Sequence, residues 1–575
     1  MRRSWLVALL TLGLAAPALW GGVADGAPGP ASAPAPAPGR AALVRLPFPQ
    51  DDGSLTPYTF ELGYQLMSLI YDTLLWRDAD GVPQPWLARS VTPNADGRQL
   101  TIRLDGGARW HDGLPVTAED VAFTFRYVAG RPHPRFTPAL RDVERVEVFD
   151  PTTLVVILSR PSPGFIDQPL ADMPILPSHL WRDLPTGKAT PDGLAVGSGP
   201  YRLVDYRPGE GWRFEANTDY FRGRPAVSAV EVPVIRSLEG TLQAFEQRRV
   251  DVVAASLPQA AAQRVNRLGT RLAEGPSYLG TVLMFNLRRA PFDRPEARRA
   301  VAAALDPAQL ARAVGNAVPA ASGYLHPDSP WAVAGRSTVA GGATSAPATG
   351  ALPPSIRVMA PDNDPVKLEA GREVVQALIR AGSQAELVTV SRDELERAVG
   401  EDGSPPSFEA AVWSAPPLAS YDPSFLSRVF GSDPRDARTN LSGYSSPAFD
   451  EAVARVAGSP DTAARRVAVG DTLAVLAADA PVVPLLFANG GFVFRPAVYD
   501  GWVYVKGTGI IDKRSFVEPV PVPAGPVDDG PTATGDGTSV PFGWLALGLL
   551  GAAAVVAVTQ LAGRQRRPGR RARGA

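Results

Sequence analysis

Residues able to do chemistry are sparse in this 575-residue chain, and their spacing fits no catalytic pattern. There is no cysteine, which excludes disulfides, cysteine-ligated zinc, iron–sulfur clusters, a cysteine nucleophile and a lipid-bearing cysteine. The four histidines, His111, His133, His179 and His326, stand at no metal-ligand spacing, so no metal or cofactor is implied. Gly-x-Ser-x-Gly, His-Glu-x-x-His and P-loop motifs are absent. Gly197-Ser198-Gly199-Pro200 is glycine-rich but lacks the lysine and following helix that a phosphate loop requires. Glu119-Asp120 reads as a helix cap, and His111, within Trp110-His111-Asp112-Gly113, as part of a turn. A formal net charge of −1 argues against a nucleic-acid protein whose affinity comes from a basic body. With 45% hydrophobic residues the chain has material for a large core, and the missing catalytic constellation argues against an enzyme.

The elements that must position any site alternate between strand and helix. Leu43–Leu46 is a short strand candidate, and Leu62, Leu66, Leu69 and Ile70 form a helix face. Leu100, Ile102 and Leu104 alternate as a half-buried strand. Thr117 with Asp120 resembles a capping box for a helix carrying Val121, Phe125 and Val128. The stretches Val146–Phe149 and Thr153–Leu158 flank Asp150-Pro151 like a hairpin. Ala297, Val301, Ala304 and Leu305 form a further helix face; Asp306-Pro307 starts the next helix and Gly315 ends it. Ile356–Val358, a helix over Lys367–Ile379 and Leu387–Val390 read as a β–α–β unit. The fold class is α/β.

Both ends carry apolar runs. Met1-Arg2-Arg3, an apolar stretch and the small residues up to Ala27 describe a secretory signal over 1–27, with an uncleaved anchor as the alternative. A Pro/Ala-rich spacer covers 28–40, and a Pro/Gly-rich stalk covers 518–540. The segment 541–563 has the length and apolarity of a transmembrane helix, and the tail 564–575 holds six arginines. The expected arrangement is single-pass in the cell membrane with the large body, 41–517, extracellular. Ala332–Pro354 reads as a long surface loop.

Seven stretches, in order, carry a family resemblance. They are Tyr71–Leu75 with Pro85–Ala88, Leu104–Asp120, Gly197–Tyr201, Asn217–Pro225, Phe285–Asp306, Gly443–Asp450 and Ala480–Leu485. The body resembles the family 5 extracellular solute-binding proteins of ABC transporters, the oligopeptide-, dipeptide- and nickel-binding group. The resemblance implies a two-lobed periplasmic-binding-protein-like fold with an extra subdomain. Lobe I would hold about 41–58, 197–275 and 482–517, the subdomain 59–196, and lobe II 276–481. Ligand would sit between the lobes.

The implied function is a membrane-anchored solute-binding subunit of an ABC importer. It would capture peptides or a similar-sized solute and deliver them to permease subunits. A membrane-tethered ligand sensor of the same fold, acting through a partner protein, is the alternative. Cleft candidates are Phe123, Tyr278, Asn286, Trp413, Tyr421 and Asp422. The aromatics would form walls; Asn286 and Asp422 would orient the ligand. In the peptide binders of this family an aspartate three residues after a tryptophan pairs with the peptide α-amino group. Trp413 matches the tryptophan, but Pro416 occupies the aspartate's place. Asp422 reads as the start of an Asp-Pro turn. The four scattered histidines weaken a nickel assignment.

Overall fold

A computed structural model describes residues 40–518, apart from 61–62, 132, 134, 185–194, 256–263, 266–268, 322, 334–351, 435–438, 460 and the side chains of 254–255. The expected signal, the Pro/Ala-rich spacer up to 39, the stalk from 519 onward, the apolar run at 541–563, the arginine tail and most of the long loop at 332–354 lie outside these residues. Among the described residues no helix is long and apolar enough to cross a membrane.

The first lobe carries two sheets. One has the order Ala41–Arg45, Val227–Pro233, Gly211–Ala216, Tyr201–Arg207, its first pair parallel and the others antiparallel. The other places Gly490–Phe494 between Val252–Ala255 and Arg271–Gly275. Both feed one core, in which Val44, Phe214 and Val230 meet Val252 and Phe494. The chain's last described segment is part of it: Tyr499, Trp502, Ile510 and Phe516 are buried there.

The subdomain is an antiparallel sheet in the order Ala88–Pro93, Gln99–Leu104, Thr153–Leu158, Val143–Asp150, with the helix Ala118–Gly130 beside it. Leu100, Ile102 and Leu104 face that helix's Val121, Phe125 and Val128, as a period of two meeting a period of 3.6 requires. The helix starts with the expected reciprocal cap: Thr117 Oγ1 accepts from Asp120 N at 3.4 Å, and Thr117 N donates to Asp120 Oδ2 at 2.9 Å.

The second lobe is a six-stranded sheet in the order Ala317–Pro319, Val482–Ala488, Gly280–Phe285, Ala410–Ala415, Ser355–Pro361, Gln384–Val390. Strand alternation sends Leu283 and Phe285 to one face, under the helices Pro295–Ala303, Pro307–Val314 and Pro365–Arg380. Val282 and Met284 go to the other, against Leu395, Phe449, Val453 and Leu473 of further helices. Ser355–Pro361, Pro365–Arg380 and Gln384–Val390 form the β–α–β unit, its strands parallel throughout.

One boundary needs correction. The sequence reading began the final first-lobe segment at 482. Val482–Ala488 pairs instead with Gly280–Phe285 inside the second-lobe sheet. The chain pairs with first-lobe strands only from Gly490. The Ala480–Leu485 stretch reads as a late strand in sequence, but its sheet depends on pairing partners two hundred residues away.

The turn at Trp110–Gly113 and the glycine-rich turn at Gly197–Pro200 touch. His111 Nε2 donates to Gly199 O at 3.0 Å, and its Nδ1 accepts from Gly197 N at 3.3 Å. Gly199 N donates to Ile70 O at 2.8 Å. A Cβ at either glycine would collide with carbonyls at the end of the helix Tyr64–Ile70. This glycine-rich turn is a close-packing device, and His111 is its structural clasp.

Candidate functional site

Strand ends build the site. In the first lobe, Ala41–Arg45 runs on into Pro47-Phe48-Pro49-Gln50, and Val227–Pro233 runs on into Ile235-Arg236-Ser237. Phe48 is bridged to Val234 and lies edge-on to Trp212 at 5.8 Å. Ser237 caps the helix Leu238–Glu246, accepting from Gly240 N at 3.1 Å. In the second lobe three neighbouring parallel strands end on one side. Ser355–Pro361 leads to Asn363 and to Asp364, which caps its helix. Gln384–Val390 leads to Ser391, capping Arg392–Val399. Ala410–Ala415 brings Trp413 and Ser414, with Pro416 just beyond. Crevices outside the carboxyl ends of strands are where open α/β sheets hold ligands. Here two such edges, one from each lobe, enclose a single cleft of about 700 Å³.

The cleft is mixed in character. Phe48, Ile235, Leu238, Leu279, Leu395 and Trp413 supply apolar wall, and Leu279 is 46% exposed although it is a large aliphatic residue. Its carboxylates are engaged. Asp364 is ion-paired with Lys367 and accepts from Lys367 N at 3.0 Å. Burial pushes Asp364 up, but the Lys367 ammonium and these hydrogen bonds hold it below the usual carboxylate range. Glu396 pairs with Arg392 at 2.6 Å, and Glu401 has an interaction of its own. Arg236 is exposed and has no ion pair among the described residues. The nearby Asp51 feels its charge but spends its oxygens on Gly53 N, Gly209 N and the Tyr206 hydroxyl.

Of the six candidates from the sequence, the structure places only Trp413 in this cleft. Phe123 is core: it lies on the subdomain helix with its ring 5.3 Å from Tyr127. Asn286 is buried at a strand end, donating to Phe408 O at 3.0 Å. Tyr278 lies within the first crossing between lobes and packs between His326 and Tyr421, each ring at 5.0 Å. Burial and then Tyr421 push its phenol up to about 12. Tyr421 donates to Lys506 O, lies under the Arg77 guanidinium at 4.0 Å, and so joins the second lobe to the subdomain and to the chain's last described segment.

Asp422 is committed elsewhere as well. It caps the turn at Pro423–Phe425 and is ion-paired with Arg465, the two side chains being 6% and 4% exposed. It therefore does not take over the role that Pro416 leaves vacant. The histidines do not converge either, and the described residues contain no metal-binding cluster. What sequence reasoning missed are Arg236, Lys367, Arg392 and Leu279. Three of these follow strand ends beside helix caps, a signal legible in Ser237, Asp364 and Ser391 once the strands are known.

Comparison with known proteins agrees with this architecture. The family model of bacterial extracellular solute-binding proteins, family 5, matches residues 82–434. A protein named "Probable peptide-binding protein YejA" from Agrobacterium fabrum is 26% identical over 276 residues, 43% of this chain and 44% of that protein. The match thus spans less than half of that relative's length. Protein XP55 of Streptomyces lividans is 27% identical over 435 residues, 72% of this chain and 77% of its own. Among solved structures, the oligopeptide-binding protein AppA from Bacillus subtilis, in complex with a nonapeptide, superposes with a TM-score of 0.71 at 17% identity. It covers 84% of this chain and 99% of its own.

Proposed function

The chain belongs to the bacterial extracellular solute-binding proteins of family 5, and on that premise we propose that it is the capturing subunit of an ABC importer for peptides or solutes of similar size. The observation that carries the reading is the cleft of about 700 Å³, walled by strand ends of both lobes. A cleft shared by two lobes couples ligand to conformation, because a solute touching both walls favours the closed arrangement by its differential affinity. Two crossings join the lobes, at Gly275–Gly280 and at Ala488–Gly490, and a pair of strands is a suitable hinge. A permease would then accept solute from the closed form.

The apolar run at 541–563 would hold this body beside the membrane and raise its concentration at the permease. Family relatives named as peptide-binding support a peptide as the solute. No catalytic constellation in the sequence favours chemistry on it.

The test is native mass spectrometry of the full-length protein, purified in detergent without denaturation. A mixture of co-purified short peptides is the expected result. A single non-peptide mass would overturn the peptide part of the reading. Turnover of the bound molecule during incubation would overturn the binding-only mechanism.

A further inference from the structure

Away from the cleft, the subdomain meets the second lobe directly. The second-lobe helix Leu426–Phe430 presents Arg428, only 6% exposed, to the subdomain. Its guanidinium donates to Gln168 Oε1 at 3.2 Å and to Arg135 O at 2.8 Å. Gln168 in turn donates to Asp172 Oδ2 at 3.1 Å, and Arg135 is ion-paired with Asp172 at 2.6 Å. Gly164 lies so close to Asp422 and Ser424 that a Cβ there would collide with the carboxylate and crowd the hydroxyl. Arg77, ion-paired with Asp167 at 2.8 Å, covers the Tyr421 ring. At the rim Arg141 reaches Asp433 at 4.0 Å.

Each side of this contact is rooted in its own core. Phe165 and Leu170 are buried in the subdomain cluster, and Leu426 and Phe430 in a second-lobe cluster. The facing residues therefore travel with their own halves, and a rotation about the two crossings between lobes separates them. None of them lines the cleft. Their hydrogen bonds and ion pairs join protein to protein, so their contribution does not depend on a solute. Hydrogen bonds to a charged group are also the stronger kind.

We propose that this contact is a clasp, with Arg428 as its pin, that fastens the second lobe to the subdomain without solute, so that the empty protein already favours the fastened arrangement. A solute bridging the cleft then adds to a fastening in place rather than creating it, and its share of the population shift is correspondingly smaller. The inference rests on the two-lobed fold and not on the peptide reading.

The experiment uses the full-length protein in detergent, shown free of bound solute by native mass spectrometry. The chain has no cysteine, so Glu144→Cys with Ala448→Cys gives two unique sites for spin labels. Both positions are exposed and flank the rim: Glu144 follows Arg141 by three residues, and Ala448 stands near Asp450, which accepts from Ser432 N at 3.1 Å. Label separation is read by double electron–electron resonance, and one short distance should predominate in the parent. Arg428→Met keeps the length of the side chain and removes its hydrogen bonds. It should raise the ratio of released to fastened protein about tenfold or more, the factor such bonds are worth. Gly164→Ala places a methyl group whose nearest neighbours all belong to the second lobe. It should act in the same direction and is the second variant if Arg428→Met does not fold. A control pair within one half, Glu144→Cys with Thr218→Cys, should keep its distance in every variant. A parent already spread over long distances, or a ratio unchanged in both variants, overturns the clasp. A shift of the control pair assigns the effect to the subdomain itself and also overturns it. All three results leave solute capture standing.

Discussion

The residues at and near the cleft divide into two kinds. Asp422 and Arg465 are buried partners, and removing one leaves the other's charge in a low-dielectric site. Asp422→Ala is expected to destabilise the protein by about 3–5 kcal/mol, read as a shift in the urea midpoint. Trp413→Ala, by contrast, truncates a half-buried cleft wall. It should cost about 2 kcal/mol in solute affinity, measured by titration, with a far smaller change in the urea midpoint. The occupied state of every cleft carboxylate has its own consequence. A peptide ammonium finds no open counter-charge in Asp364 or Glu396, both held in ion pairs. N-acetylation of a bound peptide should therefore change its affinity by less than about threefold, whereas losing a charged anchor would cost about tenfold or more. Parallel titrations of free and acetylated peptides decide this, and a large loss on acetylation would place an ammonium anchor in the cleft.

Among the elements, the turn at Gly197–Pro200 shows how a local motif acts through packing. The carbonyl end of the helix Tyr64–Ile70 sits where a side chain at Gly197 or Gly199 would begin. Gly197→Ala must displace backbone, and a loss of about 1–3 kcal/mol or more is expected for such overpacking. Gly130, the last residue of the subdomain helix, has open space at its Cβ position and no positive φ. Gly130→Ala should be neutral or stabilising by up to about 1 kcal/mol. Thermal unfolding of the two variants side by side separates the steric cause from a general intolerance of glycine replacement.

For the molecule as a whole, pH is the relevant variable. His111, His133 and His326 are all buried, and burial pushes each imidazole down to about 4 from 6.5. In the unfolded chain they regain the ordinary value. Above 6.5 both states are neutral and stability does not depend on these groups. As pH falls from 6.5 towards 4 the unfolded state takes up protons that the folded state refuses, and stability drops. At pH 5 each histidine should cost about 1–2 kcal/mol relative to pH 7. Melting temperature against pH is the measurement. His111→Gln should flatten part of the slope between pH 6.5 and 4, and an unchanged slope would assign the decline to other groups.

The buried Lys513–Asp72 pair shows why such contacts escape a linear reading. The two side chains are fully buried and 2.9 Å apart, and Asp72 also accepts from Trp86, Tyr220 and Ser198. Four chain segments meet at one carboxylate.

Local patterns were legible in the residues themselves: the Thr117–Asp120 cap, the hairpin around Asp150-Pro151, the Asp306-Pro307 helix start and the parallel β–α–β unit. Each depends on interactions within a few residues or one crossover, so the chain encodes it directly. Tertiary structure alone decided that Val482–Ala488 joins the second lobe, that Asp422 is spent on Arg465, and that Trp413 alone of six candidates reaches the cleft. Those outcomes depend on pairing and burial between residues far apart in the chain. An aromatic or carboxylate in a core and one in a cleft differ only in what the rest of the fold brings against them.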